Sequence, residues 1–200
     1  MNIYGASGHA KVIIDIAKSK DILIDSIFDD NKDLKEISGF KVKHTISSEA
    51  LKNKFIIAIG NNTIRKKVVL DFEGEIHPAL IHESAVISSN AVVGKGTVIM
   101  SNASVNSDST IGEHCIVNTG SSVEHDCILG NFVHISPNAA LAGGVEIGEG
   151  THVGIGAVVI PGVKIGKWAT IGAGAVILKD IPDNVVVVGN PGRIIKNKKL

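Results

Sequence analysis

Residues 80–181 read, in blocks of six, LIHESA VISSNA VVGKGT VIMSNA SVNSDS TIGEHC IVNTGS SVEHDC ILGNFV HISPNA ALAGGV EIGEGT HVGIGA VVIPGV KIGKWA TIGAGA VILKDI. The second residue of every block is aliphatic, from Ile81 to Ile177, and the sixth is nearly always small and never charged. A period of six fits neither a helix nor a β-hairpin. Units that repeat without interruption and bury a side chain against their neighbours are typical of a solenoid. We therefore predict a parallel β-helix.

The positions within each hexad predict how the coil is built. The aliphatic second residue points inward from a short strand, and the small sixth residue fills the inside of a corner. The fifth position is Gly, Asn or Asp in all but four of the blocks, and these residues tolerate a left-handed backbone. Three hexads complete one triangular coil, so equivalent positions three hexads apart stack in columns at roughly 4.8 Å. The repeat thus predicts a prism of nearly six coils, roughly 27 Å tall.

The composition argues against two broad classes of function. The chain has 200 residues, and its 20 basic and 20 acidic residues cancel to a formal charge of zero. This balance leaves no electrostatic footprint for nucleic acid and no polybasic patch for a membrane surface. With no signal-peptide pattern and no membrane-spanning apolar run, we expect a cytoplasmic protein. Cys115 and Cys127 fall on different faces of the prism and are expected to be reduced core residues.

The first part of the chain has a different pattern. Residues 1–76 do not follow the hexad and are predicted to form an α/β domain, with the β-helix domain at residues 77–200. A strand at residues 2–4 runs through GASGHA (residues 5–10) into an amphipathic helix, and a second strand at residues 22–28 ends on two acids. This is the layout of nucleotide binding at the carboxyl ends of parallel strands. The domain is too short for a dinucleotide fold, which favours half a Rossmann unit holding one nucleotide.

The polar residues at the ends of these strands form the predicted ligand edge. We expect Ser7, Gly8 and His9 beside the phosphates or the sugar, Asp29 and Asp30 on the nucleoside, and Gly60 on the lining. The helix after Gly60 carries three cations, Arg65, Lys66 and Lys67, which we expect to face the same edge and which favour a phosphate-bearing ligand. The glycine turn is one glycine short of the full dinucleotide fingerprint. A tight turn without a ligand, and a solvated carboxylate at Asp29, stay as alternatives.

One histidine is a candidate for catalysis. His125 is the fourth residue of SVEHDC, at a corner, and counting three hexads onward places Gly143 in the same column. A base beside a glycine N–H suits acyl transfer to an amine, because the base takes the amine proton and the N–H stabilises the oxyanion. Asp126 can orient the imidazole, or can be present only for its corner backbone. An exposed corner histidine without a function is the alternative for His125, and the same solvent-facing position is expected for His114.

The motifs together resemble a known family. YGASGH at residues 4–9, FDD at residues 28–30, IAIGNNTIRKK at residues 57–67, the hexads and EHD at residues 124–126 resemble the sialic acid O-acetyltransferase/UDP-amino-sugar N-acetyltransferase family over essentially the whole chain. The N-terminal motifs are most similar to the bacillosamine branch. That resemblance implies a left-handed β-helix and acetyl transfer from acetyl-CoA to the 4-amine of a UDP-4-amino-4,6-dideoxy sugar.

The resemblance also implies roles for particular residues. It makes His125 the general base and Asp126 its partner, where the branch usually has Glu. It places the acetyl-CoA arm in a groove beside His134, Gly143, Ile155 and Ala173, the last replacing a glycine of the branch. It implies a homotrimer with sites between subunits, no metal, and a GNPGR segment at residues 189–193 that caps the last coil. Without a candidate acyl-enzyme nucleophile, we expect direct transfer.

Other functions stay open at the level of sequence. Within the family, a free sialic acid hydroxyl or GDP-perosamine are alternative acceptors. Hexapeptide prisms also include zinc carbonic anhydrases, in which three histidines from two subunits bind the metal. A non-catalytic protein that binds a sugar nucleotide through its first domain alone is the last alternative.

Overall fold

The computed structural model describes residues 1–198, and its N-terminal domain is a five-stranded sheet with two helices. The elements are, in chain order, β1 (Asn2–Tyr4), α1 (Gly8–Ser19), β2 (Ser26–Phe28), β3 (Glu36–Ile37), β4 (Phe40–Lys43), a 3-10 helix (Ala50–Lys52), β5 (Phe55–Ile57) and α2 (Asn62–Asp71). The strand order is β3-β4-β2-β1-β5, in which β1 pairs in parallel with both β2 and β5. The Rossmann-like unit predicted from the sequence is confirmed.

Seventeen two-residue strands build the prism and fall into three faces. The first face holds β7 (Val86–Ile87), β10 (Ser104–Val105), β13 (Ser122–Val123), β16 (Ala140–Leu141), β19 (Val158–Val159) and β22 (Val176–Ile177). The second face holds β8 (Val92–Val93), β11 (Thr110–Ile111), β14 (Ile128–Leu129), β17 (Glu146–Ile147) and β20 (Lys164–Ile165). The third face holds β6 (Leu80–Ile81), β9 (Val98–Ile99), β12 (Ile116–Val117), β15 (His134–Ile135), β18 (His152–Val153) and β21 (Thr170–Ile171).

The register of the strands is the one that the hexads predict. Each strand pairs in parallel with the strand three hexads further along, as Val123 does with Leu141. The aliphatic residues of neighbouring coils therefore stack in the interior, where Val123, Leu141 and Val159 are fully buried. The left-handed parallel β-helix is confirmed. Cys115 and Cys127 are free and buried in this core.

The corners of the prism depend on a left-handed backbone. Every fifth hexad position from Gly96 to Gly174 has φ between +54° and +72°. Three of these residues, His114, Phe132 and Trp168, are bulky, although a side chain in this conformation costs roughly 1–2 kcal/mol. Each donates its N–H to the coil before it, at 3.0, 2.9 and 2.8 Å respectively, so the stacking imposes the conformation.

These three residues share one corner, between the second and third faces. The first coils of that corner are covered by the N-terminal domain, and His114 is only 2% exposed. Its ring stacks on Phe132, with centroids 5.4 Å apart and planes 7° from parallel. The expectation that His114 faces solvent is wrong, because a corner that is exposed in an isolated prism is here part of the contact between the domains.

The two domains share a hydrophobic core. The outward residues of the first three strands of the third face, Leu80, Val98 and Ile116, are buried in one cluster with Ile13 and Ile14 of α1. Beyond them the same column continues with half-buried His134 and His152. The N-terminal domain therefore covers the first three strands of the third face and ends beside these histidines.

The last coil is closed by two further strands. β23 (Val185–Val188) pairs in parallel with β21, and β24 (Arg193–Asn197) returns antiparallel to β23. They extend the third face beyond β21. Among residues 1–198, no helix is long and apolar enough to cross a membrane.

Neighbouring residues of β14 test which side of the strand carries the stability. Leu129 points inward and is 2% exposed, whereas Ile128 points outward and is 53% exposed. We expect Leu129→Ala to lower the free energy of unfolding by about 2–5 kcal/mol and Ile128→Ala by about 0.5 kcal/mol. Denaturant unfolding measures both, and equal losses would contradict the inward assignment.

Candidate functional site

The predicted base and its neighbour lie on the corner between the first and second faces, after β13. The side chains of His125 and Asp126 are both 65% exposed and project sideways from the prism. Asp126 has φ +60° and donates its N–H to the Ser107 carbonyl at 3.0 Å, so it makes the corner. Its carboxylate Oδ2 also lies 2.7 Å from Nδ1 of His125. Asp126 therefore makes the corner through its N–H and also contacts the imidazole through its carboxylate.

This hydrogen bond determines the proton pattern of His125. A carboxylate only accepts, so Nδ1 carries the proton and Nε2 keeps a free lone pair in the neutral ring. The bond to Asp126 raises the pKa of His125 above its ordinary value, and the charges of Asp126 and Glu124 add to the effect. An exposed imidazole with a free Nε2 and a raised pKa is suited to take a proton near neutral pH.

Gly143 provides the space for this ring. A Cβ added there would lie 2.5 Å from Cε1 and 2.6 Å from Nε2 of His125, so any larger residue would displace the imidazole. Within residues 1–198, the N–H of Gly143 donates to no other group. The corner thus presents a base and a free N–H donor side by side, the pair that acyl transfer requires.

The other residues predicted for the groove lie elsewhere on the prism. Ile155 and Ala173 occupy the corner between the third and first faces, and His134 lies on the outer side of the third face. One hexad, at most about 20 Å of extended chain, separates their corner from that of His125. A single chain therefore brings His125 and Gly143 together, but not with Ile155 and Ala173.

His134 is held between the two domains. Its ring stacks on His152 with centroids 4.7 Å apart, and its Nε2 lies 3.1 Å from Nδ2 of Asn118. The backbone of Gly60 in the N-terminal domain also lies close enough to the ring to act on its pKa. Burial lowers the pKa of His134 to about 3, with the charges of His152 and Arg65 adding to the effect. His134 is therefore neutral near pH 7, and neighbours hold its orientation.

Two adjoining clefts lie at the carboxyl ends of β1, β2 and β5. The first has a volume of about 330 Å³ and brings together four of the predicted ligand residues: Ser7, Asp29, Asp30 and Gly60. The second has a volume of about 580 Å³ and continues past Tyr4 and Asp30 to Lys67 and Phe72. Gly8, the first residue of α1, is exposed next to Ser7. The predicted ligand edge is thus an open, continuous cleft.

The two acids of this cleft are used differently. Asp29 accepts the Ala6 N–H through Oδ2 at 2.7 Å and the Asn31 N–H through Oδ1 at 2.8 Å, so both oxygens hold the backbone of the loops. Asp30 accepts the Tyr4 hydroxyl through Oδ2 at 2.6 Å, and its Oδ1 has no partner among the described residues. Burial and the bond to Asp30 raise the pKa of Tyr4. Asp30 is therefore the acid with an oxygen to offer a ligand.

The basic residues of α2 divide between the cleft and the prism. Lys67 lines the second cleft, but Arg65 is 1% exposed and contacts the prism. Lys66 pairs with Glu149 and lies 5.2 Å from the centre of the Trp168 ring. The expectation that all three cations face the ligand edge is wrong for Arg65 and Lys66, because their side chains are used in docking the domains.

His9 also faces the prism instead of the cleft. Its Nε2 is buried without a partner among residues 1–198, and it is close enough to influence the protonation of His134. Burial lowers the pKa of His9 to about 4, and the charge of Arg65 adds to the effect. His9 does not line either cleft, and its placement beside the phosphates or sugar stays a prediction.

The sequence analysis does not assign three residues of this region to the site: Tyr4, Asn118, and Arg65 in its role at the contact between the domains. A signal for the contact was present, since Leu80, Val98 and Ile116 recur every three hexads at an outward position. Three stacked apolar residues on an outer face indicate that something covers it. For Tyr4 and Asn118 the sequence pattern has no comparable signal.

Within residues 1–198, no group of three or more His, Cys, Asp or Glu is placed to hold a metal ion.

Comparison with known proteins matches both parts of the chain. Residues 1–72 match the PglD N-terminal domain, and residues 144–179 match the bacterial transferase hexapeptide repeats. UDP-N-acetylbacillosamine N-acetyltransferase of Bacillus subtilis is 41% identical over 110 residues, 50% of this chain and 50% of that protein. The match therefore spans about half the length of this curated relative.

Two solved structures resemble the chain over nearly its whole length. A mutant of perosamine N-acetyltransferase from Caulobacter crescentus, in complex with CoA and GDP-perosamine, is 37% identical with a TM-score of 0.90, over 98% of this chain and 96% of that one. The acetyltransferase domain of PglB from Neisseria gonorrhoeae, in complex with acetyl coenzyme A, is 37% identical with a TM-score of 0.91, over 97% and 98% of the two chains.

The bond between Asp126 and His125 predicts a change in titration. Asp126→Asn removes the main cause of the raised value, so the pKa of His125 should fall towards about 6.5. A titration followed by NMR at the His125 Cε1–H measures it. Glu124→Gln is the matched control and should lower the pKa less, because Glu124 acts only through its charge. An unchanged pKa in Asp126→Asn would show that the bond does not form in solution.

Proposed function

We propose that this chain is an acetyl-CoA-dependent N-acetyltransferase acting on a nucleotide-linked amino sugar. The chain belongs to the sialic acid O-acetyltransferase/UDP-amino-sugar N-acetyltransferase family of hexapeptide-repeat proteins. The observation that carries the proposal is the His125–Asp126 pair beside the free N–H of Gly143. The relatives support it, since two solved structures contain CoA or acetyl coenzyme A and one also contains GDP-perosamine.

The proposed chemistry is direct transfer. The sugar amine attacks the thioester carbonyl, Nε2 of His125 takes the proton that the amine loses, and the carbon–sulfur bond breaks to release the CoA thiolate. The Gly143 N–H donates to the carbonyl oxygen as negative charge develops on it. Asp126 holds the imidazole and stabilises its charged form. A covalent acyl-enzyme is disfavoured, because Cys115 and Cys127 are buried and burial raises the pKa of both thiols, to about 12 for Cys115.

Acetyl-CoA would supply the activated acetyl group as a co-substrate. We place its arm along the third face and its corner with the first face, beside His134, Ile155 and Ala173. Ile155 is 53% exposed and Ala173 is also exposed, so this surface is open to a ligand. Because it lies a corner away from His125, the donor groove of one chain must meet the base of another.

We therefore propose a homotrimer with parallel prism axes. In a closed ring of three copies, each subunit can present its His125 corner to the groove corner of the next. The prism faces suit such contact, since outward residues such as Val86, Val92 and Val158 are 69%, 60% and 42% exposed. Each active site would then combine His125 and Gly143 of one copy with His134, Ile155 and Ala173 of its neighbour.

For the acceptor we favour a UDP-linked 4-amino-4,6-dideoxy sugar. The N-terminal motifs and the relative from Bacillus subtilis support this choice. The nucleotide would lie in the cleft beside Ser7, Gly8 and Asp30, with Gly60 at the edge nearest the prism. GDP-perosamine is the second candidate, because the relative from Caulobacter crescentus was solved with it at 37% identity.

An acceptor panel with two variants tests the proposal. Acetyl-CoA is mixed with UDP-4-amino-4,6-dideoxy sugars, GDP-perosamine or sialic acid, and thiol release is followed. We expect transfer to the UDP-linked amine, a turnover about 100-fold lower in His125→Ala, and a smaller loss in Asp126→Asn. Activity on sialic acid alone would refute amine acetylation. Normal turnover in His125→Ala would refute the base.

Mixed oligomers test the shared site. His125→Ala removes the base, and Ala173→Trp fills the groove, so each homo-oligomer should be inactive. Co-expression of the two chains under different tags places an intact His125 beside an intact groove in some sites, and we expect activity to return in the doubly tagged species. Failure of the mixture, when both parents fold and form the same oligomer, would mean that each chain holds a complete site.

A further inference from the structure

Arg65 is the most completely bonded side chain at the contact between the domains. Its guanidinium is 1% exposed and uses all five N–H groups. Nε donates to the His114 carbonyl at 2.9 Å, Nη1 to the carbonyls of Ile59 and Gly60 at 2.8 and 3.1 Å, and Nη2 to the Phe132 carbonyl at 3.0 Å and Asn62 Oδ1 at 2.9 Å. Three acceptors belong to the N-terminal domain and two to the prism.

We propose that Arg65 is a positioning residue for acetyl transfer: it holds the Ile59–Gly60 loop of the acceptor cleft in a fixed place over the donor side of the prism. This inference rests on the proposed function and adds a residue that never touches either substrate. Ile59 and Gly60 both line the first cleft, so the two carbonyls that Nη1 binds belong to the loop that would meet the sugar nucleotide.

The hydrogen bonds of Arg65 and Asn62 to the prism follow the spacing of its coils. His114 and Phe132 are three hexads apart, on successive turns of the same corner, and Arg65 binds the carbonyl of each. Asn62 adds a contact with the next coil of the prism, where its Nδ2 donates to the Gly150 carbonyl at 3.0 Å. The first turn of α2 therefore contacts three stacked coils and cannot slide along the prism without losing these bonds.

The prism residues that Arg65 holds lead directly into the proposed donor groove. Phe132 lies two residues before His134, and His114 lies four residues before Asn118, which bonds His134. The backbone of Gly60 lies close enough to the ring of His134 to act on its pKa. The acceptor loop that Arg65 holds therefore lies beside His134, where the acceptor cleft borders the donor side of the prism.

The chemistry of the site requires arginine. The five acceptors are all uncharged oxygens, so the buried charge is stabilised by hydrogen bonds without a carboxylate. Burial lowers the pKa of Arg65 to about 10, which still leaves it charged at neutral pH. A lysine ammonium has three donors on a flexible stem and cannot bind both loop carbonyls and both prism carbonyls at once.

Lys66 offers a matched control at the same contact. It pairs with Glu149 and lies 5.2 Å from the ring centre of Trp168, but within residues 1–198 it makes no hydrogen bond to the acceptor loop. Trp168 is the one tryptophan in the sequence, so its fluorescence reports the contact between the domains. Lys66→Ala should change that fluorescence and leave the loop in place.

The experiment compares wild type, Arg65→Lys and Lys66→Ala with acetyl-CoA and the acceptor that the panel identifies. In Arg65→Lys we expect kcat/KM for the acceptor to fall about 100-fold, the usual scale for a misplaced reactant, while the Kd for CoA measured by calorimetry stays within about twofold. In Lys66→Ala we expect kcat/KM within about threefold of wild type. If Arg65→Lys does not fold, Asn62→Ala replaces it, because this change removes one acceptor of Arg65. In Asn62→Ala we expect a smaller fall in kcat/KM for the acceptor and again an unchanged Kd for CoA.

The outcomes separate this inference from the function it rests on. A wild-type protein that acetylates no acceptor refutes the proposed function, and the inference with it. If wild type is active, kcat/KM near wild type in Arg65→Lys, or in Asn62→Ala where it replaces the lysine variant, refutes the positioning role. A parallel loss of CoA affinity and acceptor turnover also refutes it, since that pattern indicates a general loss of structure.

Discussion

The structure depends on one backbone requirement: at each corner of the prism from Gly96 to Gly174, one residue adopts positive φ. The requirement fixes which side chains meet. In an extended strand, neighbours such as His125 and Asp126 would point to opposite sides. The left-handed conformation of Asp126 turns its carboxylate towards the preceding imidazole instead, and the same residue closes the corner through its N–H. The proposed base and its partner are thus a consequence of how the coil turns.

A second corner uses the same requirement to hold the domains together. His114, Phe132 and Trp168 are bulky residues in a conformation that favours glycine, and their rings form part of the surface that α2 covers. Their corner also exposes backbone carbonyls in a regular column, to which Arg65 and Asn62 donate. The prism is therefore more than a rigid support, because its repeat provides the spacing that positions the N-terminal domain.

The sequence predicted the features that follow from periodicity. The faces, the register of three hexads, the corners and the neighbours His125 and Gly143 all depend on counting along one repeat. The contact between domains could not be counted in this way. Nothing in IAIGNNTIRKK distinguishes cations that face a ligand from cations that face a protein carbonyl, so Arg65 and Lys66 were assigned to the wrong partner. Asp29 has the spacing of a ribose ligand, yet both of its oxygens bind backbone N–H groups.

We propose that a fixed contact between the domains brings an acceptor amine to His125. A crystal structure of the assembled protein with CoA and the amino-sugar nucleotide tests it most directly. We expect the nucleotide in the cleft beside Ser7 and Asp30, and the amine nitrogen within about 3.2 Å of Nε2 of a His125. A nucleotide bound in that cleft with its amine beyond the reach of every His125 would contradict it.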